Sequence, residues 1–458
     1  MFVPNLEKLM GMEVYATSSL GIGGAIRHCV DDFIVEEILV DGSRAEVKCS
    51  GMPKALGSSA ERKRYLLCVL VKRNWDTFLA IKTIAKQLGL SPNNIHFAGI
   101  KDAKAVTAQF ITVDGVSAYE IRKTKVKDIK IHPVGYLRHK LSTYYLFGNN
   151  FNITIRAISH SKSSIKKRIE KTIGELETIG GIPNFFGHQR FGTVRPITHT
   201  IGKALVKGNF KKAVMLFLAK PSPYEHSESR KARELLQKTQ DFNQALKSFP
   251  KQLHYERLML EHLARKPQDF LGAFKRLPIK LRELFPQAYQ AYLFNKFLSK
   301  RILEGLSLNK AEVGDYVVSV QRSGLPLLTM YKVVKAETCA EINEAMKAGK
   351  MQLALPLIGF KQKSSQGVQG EIEKQILEEE GITFENFKIS LMPEVSSKGE
   401  LRTALTPLNN FQLKEVSADA ANPSKNMAKI SFALHRGSYA TVLLREIMKP
   451  RNLLKAGF

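Results

Sequence analysis

Cysteine is scarce in this 458-residue chain: Cys29, Cys49, Cys68 and Cys339 stand far apart, with no C-x-x-C pair. That spacing argues against a disulfide scaffold and a zinc knuckle, and it suits a reducing, cytoplasmic setting. Long apolar runs are missing as well. None approaches the roughly 18 residues a membrane span requires, so no membrane association is expected. The stretch MFVPNLEKLMGMEVYATSSL lacks a basic segment followed by an apolar one, so no secretion signal is expected. No G-x-x-x-x-G-K-[ST] loop occurs, and GIGGA at 21–25 neither fits G-x-G-x-x-G nor follows a strand. The 11 histidines never fall into H-E-x-x-H, or into H-x-E with P-C-x-x-C. A G-x-S-x-G elbow is absent too. Nucleotide hydrolysis, zinc chemistry and serine hydrolysis therefore lack support, and neither metal nor cofactor is expected.

Acidic residues are also in short supply. Lys and Arg total 70 against 42 Asp and Glu, a formal charge of +28 with a pI near 9.8. An imbalance of that size repels itself in the compact state and points to a polyanionic partner, nucleic acid above all. Basic runs such as KALGSSAERKR and IRKTKVKDIK are scattered along the chain, and there is no basic low-complexity tail. A folded basic surface is the expectation.

The first two hundred residues alternate strand and helix patterns. DDFIVEEILV (31–40) and RYLLCVLVKR (64–73) read as strands. NWDTFLAIKTIAKQLGL reads as a helix that Asp76 or Thr77 caps and Gly89 ends, with Phe78, Ile81, Ala85 and Leu88 on its core face. IHFAGI and AVTAQFITV read as strands flanking a Lys101-Asp102-Ala103-Lys104 turn, with Asp114-Gly115 closing the second. FNITIRAI alternates, Phe151, Ile153, Ile155 and Ala157 facing one way, and a helix follows with Ile165, Ile169, Ile173 and Leu176 inward. From about residue 200 helices dominate, with a small β-like piece, GDYVVSV…LLTMYKVVKA. Strand character returns after about residue 405. The expectation is an α+β protein: one catalytic domain (1–205 and 406–458) with a central, mainly antiparallel sheet, interrupted by a helix-rich α/β insertion (206–405).

Four segments are over-specified for packing alone. In FAGIKDAKAVTAQ, Gly99 is read as a tight turn, and Asp102 sits where strand meets loop. Its lysine neighbours favour the ionised form that a nucleophile or base needs. Taken alone, the segment reads first as an aspartate bonding its own backbone in a hairpin turn, and only second as a reactive group. In GGIPNFFGHQRFG, Phe185, Phe186 or Phe191 offers a face for a base, and Arg190 a cation for a phosphate. The competing reading is an aromatic plug on the preceding helix. In HRGSYATVLLREIM, Ser438 or Thr441 caps a helix, and Arg445 with Glu446 makes an ion pair. In DDFIVEE, Glu36 and Glu37 are placed to meet lysines.

Together these four segments resemble the TruD family of pseudouridine synthases. FAGIKDAKAVTAQ is similar to A-G-x-K-D-x-x-A-V-T-x-Q, and PNFFGHQRFG to N-[YF]-F-G-x-Q-R-F-G. DDFIVEE resembles D-F-x-V-x-E, and GSYATVLLRE resembles G-[ST]-[FY]-A-T-x-x-x-R-E. NWDTFLA, RHKLSTYYLFGNNFNITIR and QAYQAYLFN are weaker echoes in the same order, and the length is more like archaeal and eukaryotic members.

The resemblance implies that Asp102 is the catalytic aspartate of a cofactor-free isomerase. It attacks ribose C1′ or takes the 2′ proton while uracil detaches, turns and rejoins through carbon 5. It further implies that Phe186 stacks on the extruded uracil, Asn184 hydrogen-bonds near it, and Arg445 is the buried cation beside Asp102, with Lys101 as second choice. Arg190 and Glu36 complete the substrate-binding set. The partner is tRNA, with position 13 the family's best-known target, and the chain acts as a monomer. A non-catalytic RNA-binding or RNA-chaperone protein on the same scaffold would explain the charge, but not the intact motifs. A metal-dependent nuclease needs clustered carboxylates that the chain lacks.

Overall fold

An apolar run with no polar alternation, such as YLLCVLV, is stable only as a strand covered on both faces. The computed structural model describes residues 2–48 and 55–458 and bears this out; Cys49 and the first residue of KALGSSAERKR lie outside it. Leu66, Cys68 and Leu70 pack with Ile111, Val113, Ala80, Ile84 and Ala85 on one side. Leu67, Val69 and Val71 pack with Leu39, Ala108 and Phe110 on the other.

The strand carrying this run belongs to an eight-stranded sheet. Its members are β1 (Phe33–Leu39), β2 (Tyr65–Arg73), β3 (Ile95–Phe97), β4 (Val106–Asp114), β5 (Ile129–Leu137), β6 (Leu146–Ile158), β7 (Asn409–Ala418) and β8 (Asn426–His435). The order is β7-β8-β6-β1-β4-β2-β5, with β3 against β4. The ladders are antiparallel except β1 with β4, which is parallel and sets Glu36 opposite Ala108. The sheet is mainly antiparallel, as expected. The helix Thr77–Gln87 lies on one face, Asp76 capping it through the Leu79 N–H at 3.0 Å and Gly89 leaving it at φ +67°. The helix Lys162–Thr178 buries Ile165, Ile169, Ile173 and Leu176.

Backbone contacts divide the chain into two compact units, Thr17–Ile182 with Thr406–Phe458, and the N-terminal residues through Ala16 with Pro183–Leu405. The chain crosses at 16/17, where no boundary was expected, and again at 182/183, earlier than the expected 205/206. The reason is local: the helix Thr198–Val206 packs on the 25-residue helix Ile279–Leu303, so it groups with the helical unit. Gly202 permits that approach, since a Cβ there would lie 2.0 Å from the Phe285 carbonyl oxygen. This unit also holds a four-stranded antiparallel sheet, ordered Glu400–Thr403, Met351–Leu357, Tyr316–Val320, Pro326–Val333. Within it Arg301 and Asp315 form a buried two-point pair, both contacts 2.8 Å. Among the described residues, no helix is long and apolar enough to cross a membrane.

Three local readings are corrected. Phe78, placed on the core face of its helix, is 57 % exposed, because the helix turns Ala80, Ile81, Ile84 and Ala85 inward. Ala157 breaks the alternation of its strand: it sits at φ +55°, its N–H donates to Asp419 at 2.8 Å, and Ile158 takes the buried place. The helix Ala440–Met448 begins after Tyr439 with no side-chain cap; Ser438 bonds Thr406 instead, at 2.9 Å.

Ile84 is wholly buried between the helix and the sheet. Ile84→Ala is expected to cost about 2–5 kcal/mol of stability, measurable as a shift of the denaturant midpoint at unchanged m.

Candidate functional site

The loop joining β3 to β4, residues 98–105, is anchored from several sides. Its partners come from four elements. From β1, Glu37 pairs with Lys101 Nζ at 2.7 Å, both groups buried, and accepts the Phe110 N–H at 2.9 Å. From the head of the helix, the Thr77 hydroxyl brackets Lys101, accepting its N–H at 3.2 Å and donating to its carbonyl at 3.3 Å. From β4, Gln109 Nε2 donates to the Gly99 carbonyl at 3.1 Å. From β2, Lys72 Nζ reaches the carbonyls of Trp75 (2.7 Å), Asp102 (2.9 Å) and Lys101 (3.4 Å). Gly99 is a matter of space and not of a left-handed turn: a Cβ would press on Leu146 at 3.1 Å and on Lys101 Nζ at 3.3 Å.

At the rim of this anchored loop the Asp102 side chain remains 34 % exposed. The cation beside it is Arg27, whose Nη2 lies 3.5 Å from Asp102 Oδ1. Arg27 is held for this position. Its guanidinium lies over the Phe33 ring, 4.2 Å from the centroid, and its Nη1 donates to the Gly457 carbonyl at 3.1 Å. Burial lowers its pKa, and the charge of Asp102 acts in the opposite direction. Its backbone has φ +56°, a strained conformation for an arginine and one typical of functional positions.

Both expected cations have carboxylates of their own. Lys101 takes Glu37, and the buried Arg445 donates to Glu446 at 3.1 Å, with Glu446 accepting the Thr17 hydroxyl at 2.7 Å. Glu36 is likewise occupied. It accepts from Arg44, from the Val47 N–H at 3.0 Å, and from Asn150 and Asn152 at 3.3 and 3.4 Å. That set makes it the anchor of the 44–47 segment. Of the adjacent glutamates, it is Glu37 that lies beneath the Asp102 loop.

The second candidate set lies in the helical unit. Phe185, Phe186 and Phe191 are all buried, Phe191 against His199 of the following helix, and His188 is buried with them. Phe186 meets the Phe294 edge, and the Arg402 guanidinium covers its ring at 4.1 Å, with that of Arg190 at 5.6 Å. Arg402 also donates to the Asn184 carbonyl at 2.9 Å and to its Oδ1 at 2.6 Å. Asn184 Nδ2 in turn donates to the Thr403 carbonyl and hydroxyl, both at 3.1 Å. Asn295 holds the Phe186 backbone from the other side, accepting its N–H at 2.8 Å and donating to its carbonyl at 3.1 Å. His188 meets the buried Glu7 at 3.0 Å, and Arg190 is partly buried. Sequence reasoning missed Arg27, Lys72 and Arg402; Asn295 lay within the echo QAYQAYLFN.

A family model described as tRNA pseudouridine synthase D (TruD) matches residues 9–447. The chain belongs to the TruD family. A relative from Methanosarcina acetivorans named "Probable tRNA pseudouridine synthase D" is 42 % identical over 450 residues, 98 % of each chain. One of the same name from Pyrococcus abyssi is 37 % identical over 435 residues, 95 % of this chain and 98 % of its own. A TruD crystal structure from Methanosarcina mazei superposes with a TM-score of 0.84 at 40 % identity, covering 99 % of this chain and all of that one. In this TruD-family chain the motif A-G-I-K-D therefore falls on the anchored loop, and N-F-F-G-H-Q-R-F-G on the buried aromatic turn.

Removing one partner of a buried ion pair leaves the other charge uncompensated. Lys101→Met is thus expected to cost about 3–5 kcal/mol, and adding Glu37→Gln should recover part of it. Chemical denaturation of the two single variants and the double variant measures the coupling.

Proposed function

We propose that this chain isomerises a uridine of tRNA, at position 13, to pseudouridine, with Asp102 as its catalytic group. One observation carries the reading: a partly exposed carboxylate facing a held guanidinium, on a loop otherwise fixed from below by buried side chains. The reaction breaks the bond between uracil N1 and ribose C1′ and makes one from C5 to C1′. The C5 proton is lost and N1 gains one, so atoms and electrons balance without hydrolysis or redox change, and no cofactor is called for. Asp102 either adds to C1′ or removes the 2′ proton. Both routes need one ionised carboxylate within reach of the ribose.

The target base has to leave its stack, at a cost of a few kcal/mol. Stacking on an aromatic ring returns about 1–3 kcal/mol, and we assign that platform to Phe186. The flat Arg402 guanidinium lying on its ring supports the assignment, since the ring already accommodates a planar group. Asn184 is assigned to orient the motif or the base, and Arg190 to meet a phosphate. The charge of +28 fits a tRNA backbone, with recognition mostly by shape.

Primer extension after carbodiimide treatment of a tRNA transcript pool tests the reading. Wild type should produce a stop at position 13. Asp102→Asn should abolish it while tRNA affinity stays within about twofold, because the exchange removes a reacting group and little binding surface. A wild-type stop at another uridine would keep the enzyme and move its target. No wild-type stop, with salt-sensitive tRNA binding intact, would leave a non-catalytic RNA-binding protein on this scaffold.

A further inference from the structure

Lys72 has no exposed surface and sits in a strand whose neighbours Leu66–Val71 are all apolar core. A lysine in such a run needs a reason. Its register partners Thr107 and Ile129 are uncharged, and its ammonium group points at the loop. The three protons of an ammonium match three carbonyl oxygens, here those of Trp75, Lys101 and Asp102 at 2.7, 3.4 and 2.9 Å. Thr77, Gln109 and the Glu37–Lys101 pair act on residues 99 and 101, whereas Lys72 holds the main chain of Asp102 itself. The charged groups facing it are Asp102 and Lys101 on the loop and Asp76 at the helix head.

We propose that Lys72 is a positioning residue for the catalytic step, its ammonium group fixing the Asp102 main chain and thereby the placement of the carboxylate against the ribose. The role rests on the assignment of Asp102 above. It differs from plain packing because it requires the charge and not only the volume: a neutral amine offers two protons and turns a lone pair toward a carbonyl oxygen.

Burial brings the Lys72 pKa down to about 8, opposed by the charges of Asp102 and Asp76 and reinforced by that of Lys101. The sign of the consequence separates positioning from packing. An unfolded lysine titrates near 10.4, so from about pH 8 up to that value the unfolded chain holds a proton that the folded one has lost. The contribution of Lys72 to stability therefore rises with pH through this window. Positioning predicts the reverse for the chemistry, since the step should slow as Lys72 loses its charge. The pH dependence of turnover and that of the Lys72 contribution to stability, read as the difference between wild type and Lys72→Met, should run in opposite directions.

The experiment compares wild type with Lys72→Met, which keeps the chain length and removes the charge. Single-turnover pseudouridine formation at saturating tRNA is followed between pH 6.5 and 9.5, beside tRNA affinity, melting temperature and hydrogen exchange of the 98–105 amides. The expectation is a folded variant with unchanged tRNA affinity and faster exchange in the loop. Its rate at neutral pH should be lower by about 100-fold, the scale of an ångström of misplacement, and should lack the wild-type decline above pH 8. Any effect of pH on the RNA itself is common to both proteins.

A folded Lys72→Met with the wild-type rate and profile would overturn the proposal. So would unchanged loop exchange, whether or not the wild type makes pseudouridine. An inactive wild type with the loop loosened in the variant would sink the catalytic assignment of Asp102 while upholding Lys72 as what fixes its main chain. If Lys72→Met fails to fold, the wild type decides: a rate flat to pH 9.5 overturns the proposal, and a decline centred near 8 without loss of melting temperature supports it.

Discussion

A loop can present one carboxylate to solvent and still be rigid only if its main-chain groups are satisfied from beneath. Most of the sheet unit serves that constraint. β1 delivers Glu37, β2 delivers Lys72, β4 delivers Gln109, and the helix head delivers Thr77. The parallel pairing of β1 with β4 has its explanation here. It brings Glu37 to the Phe110 N–H and under Lys101, where an antiparallel partner would enter from the opposite end. A buried ion pair is a weak source of net stability, because desolvation offsets most of its attraction. What the Glu37–Lys101 pair supplies is a single allowed position for the chain on either side of Asp102.

The fold was legible wherever local pattern and tertiary role agree. The unbroken apolar run of β2, the Asp76 cap, the Gly89 exit and the inward isoleucines of Lys162–Thr178 all follow from periodicity and turn chemistry. Legibility failed where neighbours decide. Nothing in FLAIKTI says that Phe78 will lie mostly in water, its ring meeting that of Phe97 on β3 edge-on, and no alternation rule foresees the left-handed Ala157 that Asp419 holds. The boundary at 182/183 was invisible because the helix beyond it is defined by what it packs on, through Gly202 and the Phe285 carbonyl.

The motifs located the candidate site, but they did not give its wiring. Asp102, Lys101, Asn184 and Phe186 stand out through the company they keep in the chain. Arg27 does not: it lies in a glycine-containing turn, and only tertiary structure brings it to Asp102. Arg402 is equally silent, one cation among 70, until its strand sets it on the Phe186 ring. The exchange of roles between Glu36 and Glu37 has a simple cause. Consecutive residues of a strand face opposite sides of the sheet, and register alone decides which side carries the loop.

The late return of the chain to the sheet bears on how the protein is made. The inner strand β6 finds its neighbour β8 only after the whole helical unit has been inserted; Asn426 closes on the His160 carbonyl across 266 residues. At ribosomal rates of about 5–20 residues per second, the open edge of β6 stays uncovered for some tens of seconds. An unpaired strand edge is a template for any other strand that arrives first. The nascent chain thus passes through a stage in which its sheet is unfinished while the intervening unit is already free to condense. The last fifty residues act as the closing stave of a structure whose frame has long been standing.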